Sequence, residues 1–216
     1  MKKLFFLIVL ALGVSGLSAQ TIHIGDLVLE KGIAFYVDST GQHGWAVALE
    51  DVGKSTWGQI EDTPLPNVTE NNDAINDVYG YESTKTVFEA LRLVEQSQWY
   101  DTCQNNLFVA VADKWHNQYV NDFRNTYSAF LVVDFDNGWY LPSAGQLVEL
   151  HYNIQEVNKG IVAAEGKALR GDYWSATEYS AYHAWYMNAK DGVSNSYHFS
   201  YLGKIHQKNI RAVFNF

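Results

Sequence analysis

Cysteine is almost missing from this 216-residue chain: Cys103 stands alone, so no internal disulfide can form and the fold must rest on its packed core. A single thiol with no neighbouring histidine reads as a small buried hydrophobe, ahead of a reactive group or an intermolecular bridge. Basic residues are also few, 15 Lys and Arg against 24 Asp and Glu, which leaves a formal charge of −9. That balance excludes nucleic acid and anionic membrane as partners, because phosphate recognition needs clustered Lys and Arg. Motifs of catalysis are missing too. There is no HExxH helix, GxSxG elbow, P-loop or GxGxxG turn, and the seven histidines are scattered without ligand spacing. His151, four residues after Leu147 on one helix face, reads as a satisfied core histidine.

Long apolar runs are confined to the start. Lys2 and Lys3 precede the apolar stretch Leu4 to Leu12, and small residues follow to Ala19. This is the pattern of a secretory leader cleaved after Ala19, and the run is short of the ~20 residues that span a bilayer. A lipoprotein anchor would need a cysteine at the cleavage point, and Cys103 is far from it. The expectation is an exported protein, in the periplasm, at the cell surface or secreted. Residues 1–19 are its leader, residues 20–216 form one domain, and there is no membrane span.

Two strands open that domain. Gly32 to Asp38 and Gly44 to Glu50 each alternate apolar and polar faces, and Ser39 to His43 is a hairpin loop between them. Lys54 to Gly80 loses periodicity and gathers Pro64, Pro66, Asn67, Asn71, Asn72 and Asp73, which predicts a surface excursion. Helical spacing follows. Thr86 and Glu89 form a capping pair ahead of Leu91 and Val94, and Leu107, Val111 and Trp115 recur every fourth residue. Ser143 and Gln146 cap a third helix with Leu147, Leu150 and Ile154 as its stripe. From Tyr173 the pattern returns to strand and loop, and the last strand is expected to pair near the first. Strands, helices and strands again predict an α+β domain.

Several of these segments carry an ordered set of motifs. Gly138-Trp139-Tyr140-Leu141-Pro142-Ser143 comes first, then Tyr173-Trp174-Ser175-Ala176-Thr177-Glu178, Ala184-Trp185, and Ile210-Arg211-Ala212-Val213. The set resembles the Lcl C-terminal domain family, an exported bacterial module with a C-type-lectin-like fold. Ala176 stands where that family commonly has a second serine, and Ile210 where it has valine. The resemblance implies a C-type-lectin-like α+β fold with a small antiparallel sheet, about three helices and long loops. It also implies a ligand face on the loops and strands before the last strand. Formylglycine-generating enzymes share the fold, but their copper-binding cysteine pair is impossible with one cysteine. No cofactor is expected.

The stretch from Gly171 to the C-terminus interleaves aromatic rings with Ser, Asn and His, the mixture of stiff contact area and adaptable hydrogen bonding found in recognition surfaces. Trp139, Pro142, Trp174, Glu178, Trp185 and Arg211 hold the motif positions and are expected to build the framework, with Glu178 and Arg211 as a buried or half-buried ion pair fixing the last strand, and ligand contact as the alternative for those two. Alternation over Ala184 to Asn188 buries Trp185 and Met187 and turns Tyr186 and Asn188 outward. Tyr179, Tyr182, Tyr186, Asn188, Tyr197 and Tyr201 are the ligand-binding candidates, with packing at the solvent edge as the alternative. Asp134, Asp136 and Asn137 offer oxygen ligands for calcium, yet a turn into Trp139 accounts for them. Acid pairs such as Glu61/Asp62 read as solvated. The function expected is non-enzymatic binding of a glycan or a protein. The alternatives are a structural part of a surface adhesin assembly and, behind it, a polysaccharide hydrolase.

Overall fold

The computed structural model describes residues 21–60, 63, 65–95, 109–189 and 199–216. Residues 1–19, expected to be a leader, lie outside them with Cys103, Glu61/Asp62 and Tyr197, and so do the side chains of residues 109–115.

Strand β1 (Leu27–Val28) leads into β2 (Gly32–Val37) and β3 (Gly44–Ala48), the hairpin expected from their alternation. Its loop is organised by Asp38, whose carboxylate accepts from the Thr40 hydroxyl and from the Thr40 amide at 3.0 Å. The Thr40 hydroxyl in particular holds that carboxyl below its ordinary range. Strand β4 (Gly53–Ser55) precedes a short helix α1 (Asn71–Asn76), the long α2 (Gly80–Glu95) and α3 (Val109–Thr126). A 3-10 turn at Phe135–Asn137 then leads to α4 (Ala144–Tyr152) and α5 (Ile154–Ala163). Strands β5 (Asp172–Ser180), β6 (His183–Asn188), β7 (Phe199–Gly203), β8 (Lys208–Ile210) and β9 (Val213–Asn215) complete the described chain.

The strands form two sheets. One is antiparallel in the order β1-β2-β3-β9, and the other runs β4-β8-β5-β6-β7 with β5 and β8 parallel. The molecule is thus α+β, but a single small antiparallel sheet with about three helices is too simple. The described residues hold two sheets, one of them mixed, and five α-helices. The extra helices escaped periodicity for separate reasons. Helix α1 has six residues, barely more than one turn. The stripe Leu147, Leu150, Ile154 is buried as expected but is split at Asn153 into α4 and α5. The last strand returns to β3, its Phe214 facing Ala46, so both described ends of the chain flank the first hairpin: Ile22 donates to Gly41 and Gly44 to Phe216.

Two large apolar clusters sit on either side of β5. Ile33, Phe35, Val47, Leu147, Ile154 and Val157 belong to one, between the first sheet and α4–α5. Trp57, Val87, Phe130, Leu141, Trp174 and Ile210 belong to the other, under α2. Trp57 corrects the expected surface excursion. It is fully buried, and its indole N–H donates to the Ser175 carbonyl at 2.8 Å. The described residues of this segment, Trp57 and Leu65 among them, lie on the sheet as a few deep anchors without regular alternation, which is why its Pro and Asn content read as loop. Thr86 and Glu89 are corrected too. Helix α2 starts six residues earlier, and the Thr86 hydroxyl donates back to the Glu82 carbonyl inside it.

Candidate functional site

The framework positions come first, because they fix what surrounds the site. Trp174 and Trp185 are buried, and their indole N–H groups are spent on the Ser55 carbonyl (3.1 Å) and the Val68 carbonyl (2.7 Å). Trp139 is half-buried, edge-on to Phe214 at 4.8 Å, and the carbonyl of buried Pro142 accepts from Ala176 at 2.7 Å.

Glu178 and Arg211 are both buried but are not partners. Glu178 pairs with Lys204 at 2.5 Å, both side chains fully enclosed, and also accepts from the Thr63 hydroxyl. The Lys204 ammonium lies 4.7 Å from the Trp57 ring centroid. Arg211 instead contacts Asp51, with Nε 2.8 Å from Oδ1 and off the hydrogen-bond axis. Its two terminal nitrogens donate to the carbonyls of Ala48 (3.0 Å) and Lys167 (2.7 Å). The expectation failed because sequence spacing places Glu178 and Arg211 in adjoining motifs yet leaves open which buried cation meets which acid.

The ligand candidates divide between two faces. On one, Phe199 stacks on Trp185 (5.2 Å, 6°), Tyr201 meets Trp185 edge-on (5.5 Å, 82°), and Tyr179 stacks on Tyr201 (3.9 Å, 12°). His183 stands edge-on to Tyr179 and Tyr201, and Tyr182 flanks it. Tyr201 is 43% and Tyr182 60% exposed. The hydroxyl contact with Tyr201 raises the Tyr179 phenol above its ordinary pKa. Tyr186 and Asn188 project from the opposite side of β6. Tyr186 is half-buried, T-shaped to Trp174 at 6.1 Å, with the Lys208 ammonium 3.5 Å from its ring centroid. Burial pushes its phenol up. Tyr186 therefore belongs to a packed cation–aromatic layer, with Asp172 holding Lys208 at 3.0 Å.

A second region was invisible to the motifs. A cavity of about 540 Å³ opens between segment 65–68, helices α1 and α2, and strand β5. Leu65, Pro66, Val68 and Ala176 give it apolar walls, and Asp73, Asp77 and Glu82 give it carboxylates. Asp77 is held rigidly. Its carboxylate accepts from the Thr177 hydroxyl at 2.5 Å and the Tyr79 amide at 3.0 Å, and its carbonyl accepts from Ser143 and Gly145 at the start of α4. That docking requires Gly145, where a Cβ would stand 2.5 Å from the Asp77 carbonyl oxygen. Gly80, Thr84, Val87 and Leu91 all face inward along α2, a 4-3-4 spacing readable in sequence once small residues count as buried.

Other chemistry is bounded by its partners. Ser180 Oγ lies 3.4 Å from His183 Nδ1. In the calcium candidate, Asn137 donates to Asp134 at 2.7 Å and Asp136 pairs with Arg92, with Gly138 turning the chain at φ 85°. No helix among the described residues is long and apolar enough to cross a membrane.

No protein-family model matches the chain, and no curated protein matches it. Among solved structures it is similar to a fimbrial protein from Bacteroides ovatus, at 18% identity and a TM-score of 0.45 over 86% of this chain and 44% of that one. The chain thus spans less than half the length of that protein. A likeness this remote assigns no function.

Proposed function

We propose that the chain is an exported, non-enzymatic binding module of the Lcl C-terminal-domain type, with C-type-lectin-like architecture. Its ligand is a glycan or a protein at the bacterial surface or in the periplasm. The observation that supports this reading is the aromatic face of Tyr179, Tyr182, His183 and Tyr201. Tyr179 and Tyr201 are braced from below by Trp185, on which Phe199 stacks, and Tyr182 and Tyr201 keep more than a third of their surface in water. Braced rings lose little conformational entropy on binding, and their polar tips can hydrogen-bond the same ligand that their faces stack on. Tyr186 leaves the candidate set because its ring is already engaged by Lys208.

The test is a glycan array followed by calorimetry on the best hit, with Tyr182→Ala and Tyr201→Ala singly and combined with Tyr179→Ala. The triple variant should lose roughly 2 kcal/mol or more of binding, as clustered aromatic anchors do. Unchanged affinity in a folded triple variant would remove the face from consideration. A second reading, a structural part of a surface adhesin assembly, draws on β7. Among the described residues it pairs only with β6 and so presents a sheet edge. Co-purification of a surface subunit that is lost on Leu202→Pro, with the glycan array blank, would favour that reading.

A further inference from the structure

The cavity between segment 65–68, α1, α2 and β5 is separate from the aromatic face, and we propose that it binds a protonated amine or guanidinium carried on an apolar body. Its volume of about 540 Å³ suits a small organic group, within the roughly 300–1,000 Å³ typical of ligand sites. Among the described residues its lining is one-signed: Asp73, Asp77 and Glu82 contribute carboxylates, and no Lys, Arg or His faces it. Among the described residues none of the three forms an ion pair. The donors that hold Asp77, a hydroxyl and a backbone amide, are both neutral, so its charge is oriented but not cancelled.

This combination selects the ligand class. An anion is repelled by three like charges. A neutral ligand leaves those charges uncompensated beside apolar walls. A bare metal ion needs several acids converging on one point, and among the described residues no such group of three exists. A cation with an apolar body uses both parts of the lining. Its hydrocarbon covers Leu65, Pro66 and Ala176, and its charge reaches half-buried Asp77 and the exposed carboxylates of Asp73 and Glu82. Tyr79, 63% exposed at the rim, adds a ring face of the kind that attracts cations. The wall is preformed, because Trp185 and Glu178 hold Val68 through the hydrogen bonds to its carbonyl and from its amide.

Calorimetry on the full chain tests this with benzylamine as the free cation, benzyl alcohol as its neutral isostere, and an acetylated, amidated Gly-Lys-Phe peptide as a polypeptide source of the same group. Benzylamine should bind about tenfold more tightly than benzyl alcohol and weaken as salt is raised. Asp73→Asn combined with Glu82→Gln, both at exposed positions, should weaken benzylamine about tenfold with the melting temperature unchanged. The Tyr182→Ala and Tyr201→Ala double variant, which leaves Tyr179 packed in the cluster that includes Val68, should bind it as before, so the aromatic face can fail without touching this result. A peptide much tighter than benzylamine, and silenced by acetylating its lysine, identifies a partner's side chain as the natural group. Parity between the two identifies a free amine. Equal binding of amine and alcohol, no saturable binding of either cation, or no effect of the double substitution overturns the proposal.

Discussion

The two buried ion pairs are built from similar parts and do different work. Arg211 is a fork: it touches Asp51 and two backbone carbonyls, and so ties β3, the approach to β5 and the last strands into one junction. Lys204 is a point charge, fully enclosed with Glu178 and lying over Trp57, and the pair ties Trp57 and Thr63 to the second sheet. Asp51 keeps 19% of its side chain in water, whereas Glu178 keeps none. The first pair therefore has water and carbonyls in reserve, and the second has only its partners. The difference teaches that one buried cation is held by a spread of acceptors with water close by, while the other is shut away from water with its acid.

The strongest way to break that comparison is Glu178→Leu, which leaves the Lys204 ammonium enclosed without its acid. About 3–5 kcal/mol should be lost in denaturant unfolding, and adding Lys204→Met should recover much of it. Additive losses in the double variant would show that the two residues do not act as a pair. Arg211→Met should cost less, roughly 2–3 kcal/mol, because Asp51 can be reached by water while two carbonyls lose charged donors. An Arg211 loss exceeding that of Glu178 would reverse the ranking of the two junctions.

Alkaline pH tests the buried phenols of the core. Burial raises the phenols of Tyr140 and Tyr173 above their ordinary value; at Tyr173 Asp51 adds to the rise and Arg211 opposes it. A raised folded-state pKa contributes stability that is complete below the unfolded value of about 10 and is lost as pH rises through the folded value. The melting temperature should therefore hold to about pH 10 and then fall together with phenolate absorbance. Phenols that ionise well before unfolding would contradict it. The smallest effect belongs to an exposed pair, Arg92 with Asp136: Arg92→Ala should cost no more than ~1 kcal/mol.

What could be read from sequence followed from regularity. The hairpin of β2 and β3, the stripe of Leu147, Leu150 and Ile154, and the burial of Trp185 and Met187 all repeat at strand or helix period and were legible. Segment 56–70 was not, because Trp57, Leu65 and Val68 insert one at a time into places made by distant strands. The aromatic face was legible as a composition, and three of its tyrosines lie together. Tyr186 was misread because alternation tells which side of a strand a residue occupies, not whether that side is already covered by Lys208. The cavity could not be read at all. Its carboxylates come from two helices and the turn between them, and its walls from segment 65–68 and β5.

Trp185 has a double position. Its ring is the underside of the aromatic face, and its indole N–H holds the Val68 carbonyl at the cavity wall. One side chain therefore reports on both regions, and its fluorescence should respond to an occupant of either. Thermodynamic reciprocity then sets a strict rule: whatever factor an occupant of the cavity imposes on affinity at the face must be returned, undiminished, in the opposite direction.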